Sequence, residues 1–175
     1  FSIIKKKLKG ESLLKIIDIT KELFSTEPYG DDTRPSYTLK HDMKKGFEYN
    51  LSELTISPHN ATHIDAPLHF IDNGDDVSKM SLEKCFGSCY VVEERFVSLS
   101  TADALTKNAK RILFKGKVDI SFGAAGLLAE RLELIGTEEA SIGNTAVHRA
   151  LLRSGVVILE NLDLSKVDVG NFVLC

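Results

Sequence analysis

The sequence predicts a single α/β domain built on a partly parallel sheet. Segments patterned as strands and as helices alternate through the second half of the chain, which is typical of parallel strands joined by helices. The chain has 175 residues, of which 43% are hydrophobic and 27% charged, and this suits one soluble domain with a sizeable core. We place that domain at residues 13–175, after a solvated N-terminal arm of residues 1–12 that is rich in lysine.

The first half of the chain is predicted to contain two strands separated by a long loop. Residues 13–19 are apolar and rich in isoleucine, as in a strand. Residues 26–36 contain two prolines, a glycine and adjacent aspartates, and this composition indicates a loop. Its aspartate pair is expected to belong to a turn, with approach to a metal site as the alternative. Residues 50–56 alternate loosely between apolar and polar side chains, and we interpret them as the strand that leads to a histidine-rich turn.

Helices and strands alternate in the second half. A short helical turn is predicted at residues 82–86, and a helix begins at Ser100, whose spacing to Asp103 resembles a capping box. Apolar spacing predicts two further helices at residues 123–134 and 145–153, the second closed by Gly155. Apolar segments between them are predicted to be strands, at residues 89–92, 111–114, 134–136 and 156–159.

A metal site is predicted in residues 59–69, which contain three of the five histidines and an aspartate. Histidine and aspartate are common ligands of zinc and manganese. In an extended strand His59 and His63 would lie about 13 Å apart, at roughly 3.3 Å per residue, too far to share one ion. Flanking prolines disfavour a helix, so we expect a tight turn that brings His59, His63 and Asp65 together. The spacing leaves open whether His69 is a fourth ligand or an acid–base group.

Glu160 directly follows the apolar strand at residues 156–159. It therefore stands at the carboxyl end of a strand, where open α/β sheets bind their ligands. A carboxylate there is costly to bury without a partner, but exposure to solvent or pairing with Arg149 would also satisfy it. From the residues alone, both interpretations stay open.

Composition argues against several classes of partner. The net charge of −3 and the pI near 6.0 favour neither nucleic acid nor an anionic membrane. We see no apolar run close to the roughly 20 residues of a membrane span.

Three cysteines are too few for a disulfide framework, so we expect a reducing, cytoplasmic setting. Cys85 and Cys89 could instead form a metal-binding pair, although no second pair lies near them in sequence.

The run S-P-H-N-A-T-H-I-D-A-P-L-H at residues 57–69 resembles the signature H-x-G-T-H-x-D-x-P-x-H of the cyclase family of metal-dependent hydrolases, which includes bacterial kynurenine formamidases. It departs from that signature at Ala61, which replaces glycine. Other similar segments follow in order: D-I-T at 18–20, G-D-D-T at 30–33, L-I-G at 134–136, V-H-R at 147–149 and I-L-E-N-L at 158–162. The chain has no tryptophan, and Pro28 and Tyr29 stand where kynurenine formamidases carry one. Tyr29 could stack on an aromatic substrate.

The resemblance implies a swivelling β/β/α fold with a barrel-like core. It also implies two divalent ions, zinc or alternatively manganese, with Asp65 and Glu160 reaching both ions and His69 acting as the acid–base residue. The complete implied ligand set is His59, His63, Asp65, His148 and Glu160.

The activity that the resemblance implies is hydrolysis of a small formamide or cyclic amide to an acid and an amine, as from N-formylkynurenine to kynurenine and formate. The ions would activate water and polarise the carbonyl of this small-molecule substrate. The family also implies a homodimer or homotetramer, with no nucleic acid or membrane as partner. Two alternatives stay open: a lactone or cyclic imide hydrolase with the same machinery, and a metal-binding protein without turnover.

Overall fold

An eight-stranded mixed sheet forms the centre of the fold. The computed structural model describes residues 1–5 and 15–175. Those residues form the strands β1 (Ser2–Lys5), β2 (Lys15–Asp18), β3 (Ser36–His41), β4 (Leu51–Thr55), β5 (His63–Asp65), β6 (Gly87–Val92), β7 (Phe96–Val97), β8 (Arg111–Phe114), β9 (Asp119–Ile120), β10 (Leu134–Thr137), β11 (Val157–Glu160) and β12 (Gly170–Leu174). Their α-helices are α1 (Leu99–Thr106), α2 (Phe122–Arg131) and α3 (Thr145–Arg153), and short 3-10 turns lie at Met43–Lys45, Pro67–His69, Val77–Lys79 and Leu82–Cys85.

The strand order in the large sheet is β2-β1-β12-β6-β8-β10-β11-β5. The four strands β6, β8, β10 and β11 are parallel, and the strands on both sides of them are antiparallel to their neighbours. The sheet is curled into a half-barrel, so the predicted α/β class with a partly parallel sheet is confirmed.

Both faces of this sheet are buried. In β8, Ile112 and Phe114 pack into a cluster with the helices, whereas Leu113 between them packs into a second cluster on the opposite face. In β11, Ile158 faces the helices, and Leu159 faces away from them. Alternate side chains of a strand point to opposite faces, so burial on both sides explains the continuous apolar runs in the sequence.

The helices begin at short polar side chains that accept hydrogen bonds from the first turn. α3 occupies the predicted residues 145–153, and the Asn144 side chain caps it by accepting from the backbone N–H groups of Ala146 and Val147. The predicted cap at Ser100 is wrong, because Ser98 accepts from the Thr101 N–H and Ser100 already lies in the helix. Ser98 has the extended backbone that a cap requires.

The arm predicted at residues 1–12 is described only as far as Lys5. Its first residues form β1, which lies between β2 and β12, and Ile3 is fully buried there. Residues 6–12 lie outside the described part of the chain. Among the described helices, none has the length and apolar character needed to cross a membrane.

A hairpin of β3 and β4 stands apart from the large sheet and was not predicted as such. The strand expected at residues 50–56 is present as β4, but it pairs only with β3. Most residues of both strands are exposed. The hairpin leads directly into the turn that carries His59.

Candidate metal centre

Strand β5 places His63 and Asp65 on one face of the sheet, because they are two residues apart in an extended segment. Both side chains are buried, while Ile64 between them points the other way. The turn before β5 passes through Ala61, which has a positive φ of 51°. Glycine adopts this conformation without strain, which explains why the family signature carries glycine at this position.

Strand β11 and helix α3 bring two more side chains to the same place. β11 runs antiparallel to β5, and Glu160 pairs with His63 across the two strands. His148 projects from the buried face of α3 and is only 2% exposed. The backbone N–H of Ile142 donates to Glu160 Oε1 at 2.7 Å and fixes that carboxylate.

All the predicted ligand side chains meet in one cluster. His148 Nε2 lies 3.1 Å from Glu160 Oε1 and 3.7 Å from Asp65 Oδ2. His63 Nε2 lies 3.5 Å from Asp65 Oδ1 and 3.7 Å from Glu160 Oε2. His59 Nδ1 lies 3.0 Å from Asp65 Oδ1. The tight convergence expected of residues 59–65 is therefore present, and α3 and β11 complete it.

The ring nitrogens of two histidines are oriented by the backbone. His63 Nδ1 is 2.8 Å from the Ala61 carbonyl, and His148 Nδ1 is 3.1 Å from the Asn144 carbonyl, so each Nδ1–H donates there. Neutral rings in this tautomer turn the lone pair of Nε2 toward the carboxylates. Acceptors that face one another need a cation between them, either a proton, as His148 Nε2 can share with Glu160 Oε1, or a metal ion.

Unpartnered buried atoms point to the same requirement. His63 Nε2 and both carboxylate oxygens of Asp65 are buried without a hydrogen-bond partner. The ion-pair distances to Asp65 do not alter this, because the alignment is not that of hydrogen bonds. Each such atom costs roughly 1–3 kcal/mol when unsatisfied. Nitrogen and carboxylate ligands suit zinc or manganese, so the residues present fit a divalent metal.

The grouping of ligand atoms adds His69 to the cluster. Ligand atoms of His59, Asp65 and His69 lie within 4.8 Å of one another, as do those of His63, Asp65 and Glu160. The His69 ring packs on the His59 ring with centroids 4.0 Å apart. His69 therefore lies within reach of the same ligand atoms as His59 and Asp65.

Electrostatics distinguishes His69 from the deeper histidines. Burial lowers the pKa of His63 and His148, but the adjacent carboxylates outweigh it and the pKa of each ring is raised above 6.5. For His69, burial and the neighbouring rings of His59 and His148 lower the pKa. Burial raises the pKa of Asp65, yet the surrounding histidines hold it below its ordinary value.

A cavity of about 740 Å³ opens onto the cluster. Tyr29 lines it, in line with the expectation that this ring could contact an aromatic substrate. Asp31 and Asp32, expected from sequence to form a turn that could also approach the metals, line the cavity, as does Phe70. The Phe70 ring packs against His148 with centroids 4.7 Å apart. The acidic pair itself and the G-D-D-T resemblance were the two signals for the aspartates, whereas nothing in the sequence marked Phe70.

The cysteines lie in other surroundings. Cys89 is buried in β6, where burial raises the pKa of its thiol to about 11 and disfavours the thiolate that a metal needs. Burial also raises the pKa of Cys85. Among the described residues neither thiol belongs to a group of potential metal ligands.

Comparison with known proteins identifies the family that this chain resembles. The family described as "Putative cyclase" matches residues 17–112. The chain is 31% identical to a kynurenine formamidase of Erythrobacter litoralis, over 94% of this chain and 86% of that protein.

Solved structures share the fold. A potential metal-dependent hydrolase with cyclase activity superposes with a TM-score of 0.73 at 22% identity, covering 90% of this chain and 86% of the other. Isatin hydrolase A from Labrenzia aggregata gives 0.74 at 17% identity, covering 89% and 84%.

Proposed function

This chain belongs to the cyclase family, and on that premise we propose that it is a metal-dependent amide hydrolase acting on carbon–nitrogen bonds other than peptide bonds. Kinship with kynurenine formamidase favours a small aryl formamide, such as N-formylkynurenine, over a lactone or cyclic imide. The retained His69 argues against a protein that only stores metal, since storage needs no acid–base group.

The observation that carries the proposal is the set of buried, unpartnered ligand atoms on His63, which lines the cavity, and on Asp65 beside it. We assign two divalent ions, preferably zinc, to the predicted ligands, with Asp65 and Glu160 shared between them. Such ions supply Lewis acidity, which polarises a carbonyl and makes water a nucleophile at neutral pH.

The remaining steps belong to the side chains of the cavity. The lowered pKa of His69 keeps its ring neutral at pH 7, so a ring nitrogen accepts a proton from the attacking water. Water adds to the formyl carbon, the carbon–nitrogen bond breaks, and His69 returns the proton to the leaving nitrogen. Formate and the free amine result. Phe70 covers one side of His148, and Tyr29 offers an aromatic surface to the substrate.

Turnover with a panel of amides tests the proposal. Zinc- or manganese-loaded protein is expected to release formate from N-formylkynurenine with a higher kcat/KM than it shows for isatin or a dihydropyrimidine. Protein stripped by a chelator should be inactive and recover on adding metal. Loaded protein that cleaves none of these amides would contradict the proposed activity.

Metal affinity should depend on pH. His63 and His148 have raised pKa values in the metal-free protein, so protons compete with the metal at and below neutral pH. The affinity for the metal is therefore expected to fall as pH falls, by up to about a hundredfold per pH unit where both rings take up protons. Calorimetric zinc titrations at pH 8, 7 and 6 measure this. Equal affinity at all three values would contradict ligation by these rings.

We also propose that the protein is a homodimer whose subunits cover each other's hairpins. Tyr37, Leu39 and Leu54 share one face of the β3–β4 hairpin and are 41–62% exposed. The opposite face carries polar residues, including Lys40 paired with Glu53. An isolated two-stranded hairpin is marginally stable in water, so a covering surface is expected. The apolar residues Phe172 and Leu174 near the chain end are not available for such an interface, because they are buried in their own sheet in β12.

Light scattering should therefore give a mass near twice the 19.3 kDa of one chain. Leu54→Glu is expected to shift the protein toward monomer, because it places a charge on the apolar face. Thr55→Glu, on the opposite face of the same strand, serves as the matched control and should remain dimeric. A wild-type mass near that of one chain would contradict the assembly.

A further inference from the structure

We propose that the hydroxyl of Thr62 is a positioning group that holds together the two chain segments carrying the metal ligands. Thr62 directly precedes His63, and its Oγ1 donates to the backbone carbonyl of Asn161, which directly follows Glu160. The same oxygen accepts from the backbone N–H of Lys21 at 2.8 Å. One hydroxyl thus joins three segments that are distant in sequence.

The hydrogen bond between Thr62 and Asn161 lies where the pairing of β5 and β11 ends. Strands β5 and β11 pair through Asp65 with Ile158, Ile64 with Leu159 and His63 with Glu160. The next antiparallel pair would be Thr62 with Asn161.

Asn161 cannot extend the ladder, because its φ of 56° turns the chain away from the sheet. Its N–H donates instead to the Glu139 carbonyl. The Thr62 hydroxyl therefore replaces the missing backbone bond directly beside the pair of ligands.

Lys21 secures the same junction from the other side. Its Nζ donates to the Glu138 carbonyl at 2.8 Å and to Asn161 Oδ1 at 3.3 Å. The segment after Glu138 leads to Ile142, whose N–H holds Glu160 Oε1. Loss of the Thr62 hydroxyl would free the end of the ladder, so His63 and Glu160 would lose their fixed separation. This role rests on the metal centre of the proposed function.

Thr62→Val tests the inference, because valine keeps the shape of threonine and removes the hydroxyl. Zinc affinity of the metal-stripped protein, measured by calorimetry, is expected to fall by about 10- to 100-fold, as for other groups that orient metal ligands. Thr62→Ser keeps the hydroxyl and should bind zinc nearly as tightly as the wild type. The matched control is Thr106→Val, which removes a hydroxyl bound to the Ala102 carbonyl in α1 and should leave zinc affinity unchanged.

A second measurement uses the wild-type protein and does not depend on how any variant folds. The Lys21 amide donates to the Thr62 hydroxyl, so its hydrogen exchange should slow when zinc is added, because coupling between the two is reciprocal.

The inference is overturned if Thr62→Val binds zinc like the wild type, if Thr62→Ser is as weak as Thr62→Val, or if zinc leaves the Lys21 amide unchanged. A wild-type protein that binds no zinc would overturn the metal centre, and with it this role. Tight zinc binding without turnover would count only against the proposed substrate.

Discussion

Replacing His63 with alanine is expected to remove metal and activity together. Its Nδ1 is held by the Ala61 carbonyl, and its buried Nε2 faces Asp65 and Glu160 without a hydrogen-bond partner. The substitution removes one ligand and leaves two carboxylates to repel each other in a buried site. We expect zinc content to fall below one ion per chain and kcat/KM to drop to the level of the chelator-stripped protein.

His41→Ala provides a matched control for the loss of a histidine. His41 lies in the hairpin, where its ring stacks on Phe47, and it should keep full zinc content when replaced. Elemental analysis and turnover on the same preparations make the comparison. A His63→Ala protein with wild-type zinc content would show that His63 is not a ligand.

Replacing His69 with alanine is expected to separate chemistry from metal binding. The side chain lies at the mouth of the cluster, and its ring packs on His59 with a lowered pKa that suits a proton acceptor. Loss of such a group typically reduces kcat by roughly 10²–10⁴. Both ions should remain, because the five assigned ligands are untouched.

Two results would reject this role for His69. A His69→Ala protein that is purified without metal would identify His69 as a ligand. The ligand atoms of His69 lie close enough to those of His59 and Asp65 for this result. A variant with full metal and full turnover would mean that another group protonates the leaving nitrogen. The substitution therefore decides between the two roles that the sequence left open.

The sequence predicted those parts of the fold that local patterns determine. Helix α3 and strand β8 were placed correctly, because apolar spacing and a buried run depend only on neighbouring residues. The partner of β4 was missed, since an exposed hairpin lacks the burial that makes strand alternation strong. The cap of α1 was misplaced between two serines, and only the backbone of Ser98 decides between them.

The part of the metal centre that was predictable from sequence is the part formed by neighbouring residues. His59, His63 and Asp65 lie close in sequence, and their residue types alone indicated a metal. His148 and Glu160 reach the cluster through a helix and a strand, so only the family resemblance joined them to it. The Thr62 bond to Asn161 depends on the β5–β11 register and could not be inferred from either segment alone.

Metal content is the most direct test of the account. Protein purified without chelator should contain close to two divalent ions per chain by elemental analysis, with zinc expected. A value near one would contradict the sharing of Asp65 and Glu160 between two ions, and a value near zero would contradict the metal centre itself.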